Sequence, residues 1–287
     1  MIMKILQRQL LLKQTLFGLS WVGVGALLPF AEANAPVFSY QPWLYILLAF
    51  LCARFAGMNL NRLIDRHFDA QNARTKDRPL PKGEITPISC FIQAVLFLSG
   101  FVFVAWLLNP LCFFLSFFVV VLIVLYSYTK RFTFFCHFVL GAIHFFAPVS
   151  AWAAVTGTLS VAPILLGVAL FLSIAAGDII YACQDIEFDR KIGLHSIPAA
   201  VGCKRACLIS RYLHIASVIC LWVLSNIFGS PLLYLATSLI ACLYASSHVK
   251  LGRGDFGFDA MFSFINTLSG VILFVFTLGE MLWHASW

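Results

Sequence analysis

The chain has 287 residues, of which 61% are hydrophobic and only 11% charged, with 29 Phe and a formal net charge of +7. That leaves too little polar surface for a soluble globular protein of this size and describes a polytopic membrane protein. The positive balance follows from topology and is no argument for nucleic acid as a partner.

Nine apolar segments follow in order, at about 15–31, 41–63, 87–108, 111–128, 134–156, 161–182, 206–228, 231–247 and 260–284. Each is near the ~20 residues that carry a helix across a bilayer core. Helix is the default because lipid cannot satisfy an open backbone. The expected fold is all-α, a single domain over residues 1–287 with nine transmembrane helices.

Lys4, Arg8 and Lys13 precede the first segment, and Arg66, Arg74, Lys76, Arg78 and Lys82 follow the second. Lys130 and Arg131 lie between segments four and five, Arg190, Lys191, Lys204 and Arg205 between six and seven, and Lys250 and Arg253 between eight and nine. The alternate loops carry no Lys or Arg. The positive-inside rule then places the N-terminus in the cytoplasm and the C-terminus outside. Ala33-x-Ala35 imitates a signal-peptide cleavage site, but Pro36 directly after it argues for an uncleaved first span.

The acids gather at two places. Asp65 and Asp69 follow the second segment, and Asp185 and Asp189 follow the sixth, in matched Asp-x-x-Phe-Asp runs 120 residues apart. With four spans between them, both runs emerge on the cytoplasmic side. Residues at i and i+4 share a helix face, so Asn61, Asp65 and Asp69 stack, with Arg54 earlier on that face. Asp178, Tyr181, Asp185 and Asp189 are expected to stack in the same manner. One such pair would read as a solvated helix end. Two, with Asn61 and Arg54 in apolar context, mark a site, because polar groups at membrane depth are costly. Glu187 points about half a turn away and is set aside.

Asp carboxylates and an Asn carbonyl are hard oxygen ligands suited to Mg²⁺, which shares its coordination with substrate phosphates. The many nearby bases fit an anion bridged by metal. A diphosphate held at the mouth of an apolar bundle implies a lipid diphosphate with its tail between helices. Gly57, Gly141, Gly157 and Gly167 would leave room for that tail. The nine Cys are scattered with no Cys-x-x-Cys, and Cys203-x₃-Cys207 lacks a companion His. They read as small hydrophobes, with no disulfide and no zinc assigned. The seven His, His137 among them, show no common spacing and read as incidental.

These motifs, with 74-RTKDRPLPKG-83, 126-YSYTKRFT-133 and 178-DIIYACQDIEFDRKIG-193, resemble the UbiA superfamily of intramembrane prenyltransferases over most of the chain. The resemblance implies nine helices around a central cavity open to the bilayer. It implies transfer of a polyprenyl group from its diphosphate to an aromatic ring. Asn61, Asp65, Asp69, Asp185 and Asp189 would hold Mg²⁺, the four Asp being catalytic. Arg66, Lys130, Arg131 and Lys191 would bind the diphosphate, and Arg54, Asp178 and Tyr181 the acceptor. Arg54 could instead pair with Asp178 inside the bundle. The acceptor expected is an aromatic hydroxy acid, 4-hydroxybenzoate ahead of a dihydroxynaphthoate of the futalosine route to menaquinone. The setting would be quinone biosynthesis in a bacterial inner membrane.

Two other classes fit this pattern less well. CDP-alcohol phosphotransferases need an upstream Asp-Gly-x₂-Ala-Arg, which is absent. A secondary transporter with paired Asp would place them near the bilayer midplane, on interrupted helices. These acids end two helices on one side.

Overall fold

The computed structural model describes residues 12–32, 36–37, 39–255 and 257–285, and all the regular structure among them is helical. Among the described residues, eight helices are long and apolar enough to cross a membrane, and the apolar helix Phe17–Ala31 is shorter. This agrees with nine expected spans. Lys4, Arg8, Ala33, Ala35 and the side chains of Lys13 and His284 lie outside the described residues.

In chain order the helices are α1 (Leu12–Leu27, ending in a 3₁₀ turn Leu28–Ala31), α2 (Gln41–Gln71), α3 (Pro87–Leu108), α4 (Pro110–Thr129) and α5 (Cys136–Thr156). After them come α6 (Val161–Ala182), the short α7 (Ile186–Ile192) and α8 (Ile197–Val201), then α9 (Cys203–Phe228), α10 (Pro231–Arg253) and α11 (Phe258–Ala285). Local chemistry sets several of these starts. Pro occupies the first helical turn of α3, α4 and α10, where its missing N–H is no loss. The side chains of Thr86, Asn109 and Ser230 accept from Ser89, Cys112 and Leu233 N–H groups. Asn109 also donates to Ala153 O at 2.8 Å, locking the start of α4 to the end of α5.

Helix α6 is the most enclosed, with 67% of its apolar window buried against 22% for α2 and α3. It packs on α5, α9 and α11, while α2 packs on α3 and α4. One core joins Trp21, Trp152, Leu166, Leu170, Leu221 and Ile240 around α6. A second joins Val22, Ile46, Ala105 and Ala151 under α2. Outward faces such as Phe114, Phe118, Ile219 and Trp222 remain exposed, as lipid-facing residues should.

Small residues set close approaches at the core. A Cβ on Gly25 of α1 would collide with the carbonyl oxygen of Pro148 in α5, a backbone atom that cannot swing aside. Gly25→Ala is therefore expected to lower the thermal midpoint in detergent, by overpacking worth about 1–3 kcal/mol. The glycines expected to line a tail groove divide differently. Gly57 lines the central cavity. Gly141 and Gly167 instead admit Phe171 and Phe145 between α5 and α6, and Gly157 ends α5 in the left-handed conformation at φ 70°. Sequence reading cannot separate a groove from a helix contact, since both want a missing side chain.

Candidate active site

The second span was expected to end near residue 63, but α2 continues unbroken to Gln71. Asp65 and Asp69 thus sit on regular helix, and the i,i+4 stack forms: Asn61 Nδ2 donates to Asp65 Oδ2 at 2.9 Å. The second motif is built otherwise. After Ala182 the chain tightens to a 3₁₀ turn, Cys183–Asp185, before α7 begins. The 3₁₀ turn interrupts the regular helix expected to carry Asp178, Tyr181, Asp185 and Asp189, yet Arg74 bonds both Tyr181 and Asp185 across it.

The acids are buried: Asp69 is 7% exposed, Asp185 6% and Asp189 2%. Buried carboxylates need donors, and the loop after α2 supplies them. An Asx turn, Arg74 N to Asn72 Oδ1 at 2.9 Å, folds that loop back over the mouth. Arg74 then clamps Asp185 through Nη2 at 2.6 Å and Nε at 3.2 Å, with Asn72 Nδ2 on the same carboxylate at 3.0 Å. Its Nη1 donates to the Tyr181 hydroxyl at 2.6 Å. Arg78 Nη1 reaches both oxygens of Asp69, at 3.0 and 2.8 Å. Asp189 accepts from Ser196 Oγ at 3.0 Å, and Ser196 also caps α8.

A third loop closes the mouth. His195 N donates to Lys130 O at 2.7 Å, joining the end of α4 to the segment after α7. Burial opposes the charge of Lys130, yet Asp189, with Asp178 and Asp185 behind it, holds its pKa above the ordinary lysine value. Arg131 donates to Ile64 O at 2.8 Å, lies 3.8 Å from Asp65 Oδ1, and stacks beside Phe68 and Tyr128. Arg66 turns back to Leu63 O at 2.8 Å, and Lys191 and Glu187 are exposed on α7.

Beneath these groups lies a cavity of about 330 Å³, within the size range of ligand pockets. Its polar end carries Arg54, Asn61, Arg62, Arg78, Tyr126, Asp178 and Tyr181. Its walls elsewhere are mostly apolar, among them Ile46, Phe50, Phe101, Leu108, Val119 and Phe146, with His144 and Ser150 as polar exceptions. Ile46 and Asn61 lie on the same helix, so the lining spans about 22 Å of helix rise. The three residues expected to meet the acceptor, Arg54, Asp178 and Tyr181, all line this one space.

His137, read as incidental in the sequence, is fully buried and bonded to Asp178 at 2.6 Å. Its Nε2 accepts from Ile197 N–H at 3.3 Å, so that nitrogen carries a lone pair and Nδ1–H is the donor to Asp178. No local pattern announces this pair, because its members are 41 residues apart on different helices. His137→Ala leaves a largely buried carboxylate without its donor and is expected to destabilise the fold by about 2–3 kcal/mol. A thermal melt in detergent checks it, and His137→Asn, which keeps a donor, should recover part of the loss.

The donor set fits Mg²⁺: Asn61, Asp65, Asp69, Asn72, Asp185 and Asp189 offer hard oxygens, with no thiol or imidazole among them.

Comparison with known proteins agrees with this architecture. The UbiA prenyltransferase family model matches residues 19–276. A 4-hydroxybenzoate octaprenyltransferase of Vibrio parahaemolyticus is 32% identical over 261 residues, 89% of each chain. The apo structure of a UbiA homolog from Aeropyrum pernix K1 superposes with a TM-score of 0.84 at 27% identity, covering 93% of this chain and 98% of that one. A UbiA homolog from Archaeoglobus fulgidus, solved with GPP and Mg²⁺ bound, shares the fold at a TM-score of 0.77 and 22% identity, over 98% and 99% of the two chains.

Proposed function

The chain belongs to the UbiA prenyltransferase family, and on that footing we propose that it transfers a polyprenyl group from its diphosphate to 4-hydroxybenzoate in respiratory quinone biosynthesis. One observation carries this reading: two hard-oxygen clusters, from α2 and from the turn after α6, flank the polar end of a cavity whose other walls are mostly apolar. The name of the Vibrio relative supports the acceptor, and the contents of the Archaeoglobus structure support a prenyl diphosphate with Mg²⁺. The membrane would be the bacterial inner membrane, with the site at its cytoplasmic face.

Each group then has a role. Asn61, Asp65, Asp69, Asp185 and Asp189 would hold Mg²⁺, which when bound would supply positive charge to offset that of the departing diphosphate. Arg66, Arg74, Arg78, Lys130, Arg131 and Lys191 take the phosphate oxygens left over. The apolar walls hold the prenyl tail and keep water from the allylic cation. Arg54 pairs with the acceptor's carboxylate, while Tyr181 and the His137-oriented Asp178 shape its seat beside the reacting carbon. The ring carbon ortho to the hydroxyl attacks, and loss of its proton restores aromaticity.

Membranes containing the protein, given Mg²⁺, a labelled prenyl diphosphate and a panel of aromatic acids, should yield a prenylated 4-hydroxybenzoate, and EDTA should stop the reaction. No prenylated product from any member of the panel would overturn the proposal.

A further inference from the structure

The sulfurs of Cys183, Cys203 and Cys207 all lie within 4.8 Å of one another. Cys203 opens α9 and Cys207 follows one turn later on the same face, their sulfurs 3.9 Å apart. The third sulfur comes from the 3₁₀ turn that ends in Asp185. A metal ion with M–S bonds of about 2.3 Å holds its sulfurs about 3.8 Å apart in tetrahedral geometry and about 4.0 Å in trigonal geometry. The Cys203–Cys207 separation already matches. Neither His nor a carboxylate enters the cluster among the described residues. An all-sulfur set selects soft ions and rejects Mg²⁺.

We propose that Cys183, Cys203 and Cys207 form a three-thiolate site for a thiophilic metal ion such as Zn²⁺, separate from the oxygen site of the diphosphate. Each sulfur binds as thiolate and gives its proton to solvent. The three negative charges face the N-terminal end of a 26-residue helix, and Arg211 lies within electrostatic reach of Cys207. Cys203 and Cys207 are only half-buried, which leaves an entry path. A bound ion would tie the turn carrying Asp185 to the first turn of α9. The competing account is packing alone, with three thiols filling space beside Ile179, Ile197 and Ala206.

The test uses the full-length protein in detergent with Cd²⁺ as the probe. Titration should raise the ultraviolet thiolate-to-cadmium charge-transfer band to saturation at one ion per chain, and Zn²⁺ should compete it away. Cadmium on the carboxylate site gives no such band. The Cys203→Ser/Cys207→Ser double variant should lose the band, and Cys242→Ser should keep it. In the unaltered protein, Cd²⁺ should slow maleimide labelling of Cys203 and Cys207 at least about tenfold, while exposed Cys242 labels at its former rate. A missing band, a band that survives in the double variant, or unprotected labelling would each overturn the proposal.

Discussion

Asp185→Asn is expected to abolish prenyl transfer while the chain still inserts and purifies as a monodisperse species. The change keeps shape and hydrogen bonding but removes the charge that Arg74 and Asn72 converge upon. In the proposed reaction that charge holds metal against the leaving diphosphate. Losing a principal electrostatic partner of a charged transition state lowers kcat by on the order of 10³-fold, about 4 kcal/mol. Asp65→Asn should behave alike, since the two clusters serve opposite sides of one ligand. Single-turnover assays on purified protein measure this directly. Near-normal turnover in either variant would remove the two-cluster mechanism.

Arg74→Ala should produce a different signature. Arg74 donates to Asp185 and to Tyr181 at once, so it competes with metal for the first and positions the second. Without it, the Mg²⁺ concentration for half-maximal rate should fall, because Asp185 loses its rival cation. At the same time kcat/KM for the prenyl diphosphate should drop about 10–100-fold, the scale of losing charge-assisted hydrogen bonds to phosphate. Arg131→Ala should be milder, since Arg131 is exposed and already bonded to Ile64 O. A titration of Mg²⁺ at fixed substrate, and of substrate at fixed Mg²⁺, separates the two effects. A raised Mg²⁺ requirement for Arg74→Ala would contradict the competition.

The parts of this arrangement that sequence made legible are those with local periodicity or rarity. Segment ends at 87–108 and 161–182 coincide with helices Pro87–Leu108 and Val161–Ala182, because Thr86 and Pro87 mark the first start and hydropathy sets the lengths. Asn61, Asp65 and Asp69 stood out because acids are scarce and the spacing of four is helical. What stayed hidden depends on chain reversal. Arg74 and Arg78 were legible as bases near the acids, but not as the partners of Asp185 and Asp69 onto which the Asx turn at Asn72 swings them. The 3₁₀ turn at Cys183–Asp185 interrupts the helix after Ala182, and no proline or glycine within it announces it. His137 and Asp178 meet across two helices, which no window along one segment can detect.

The spacing of these partners also orders the birth of the protein. Asp69 finds Arg78 only nine residues later, so its charge is neutralised soon after α2 leaves the ribosome. Arg74 must wait for Asp185, 111 residues downstream, an interval of roughly 6–22 s at ordinary translation rates. Until then the nascent chain holds one finished half-site and one cationic arm without its acid. Ribosome-stalled chains ending before Asp178 should therefore insert their early helices yet bind no prenyl diphosphate.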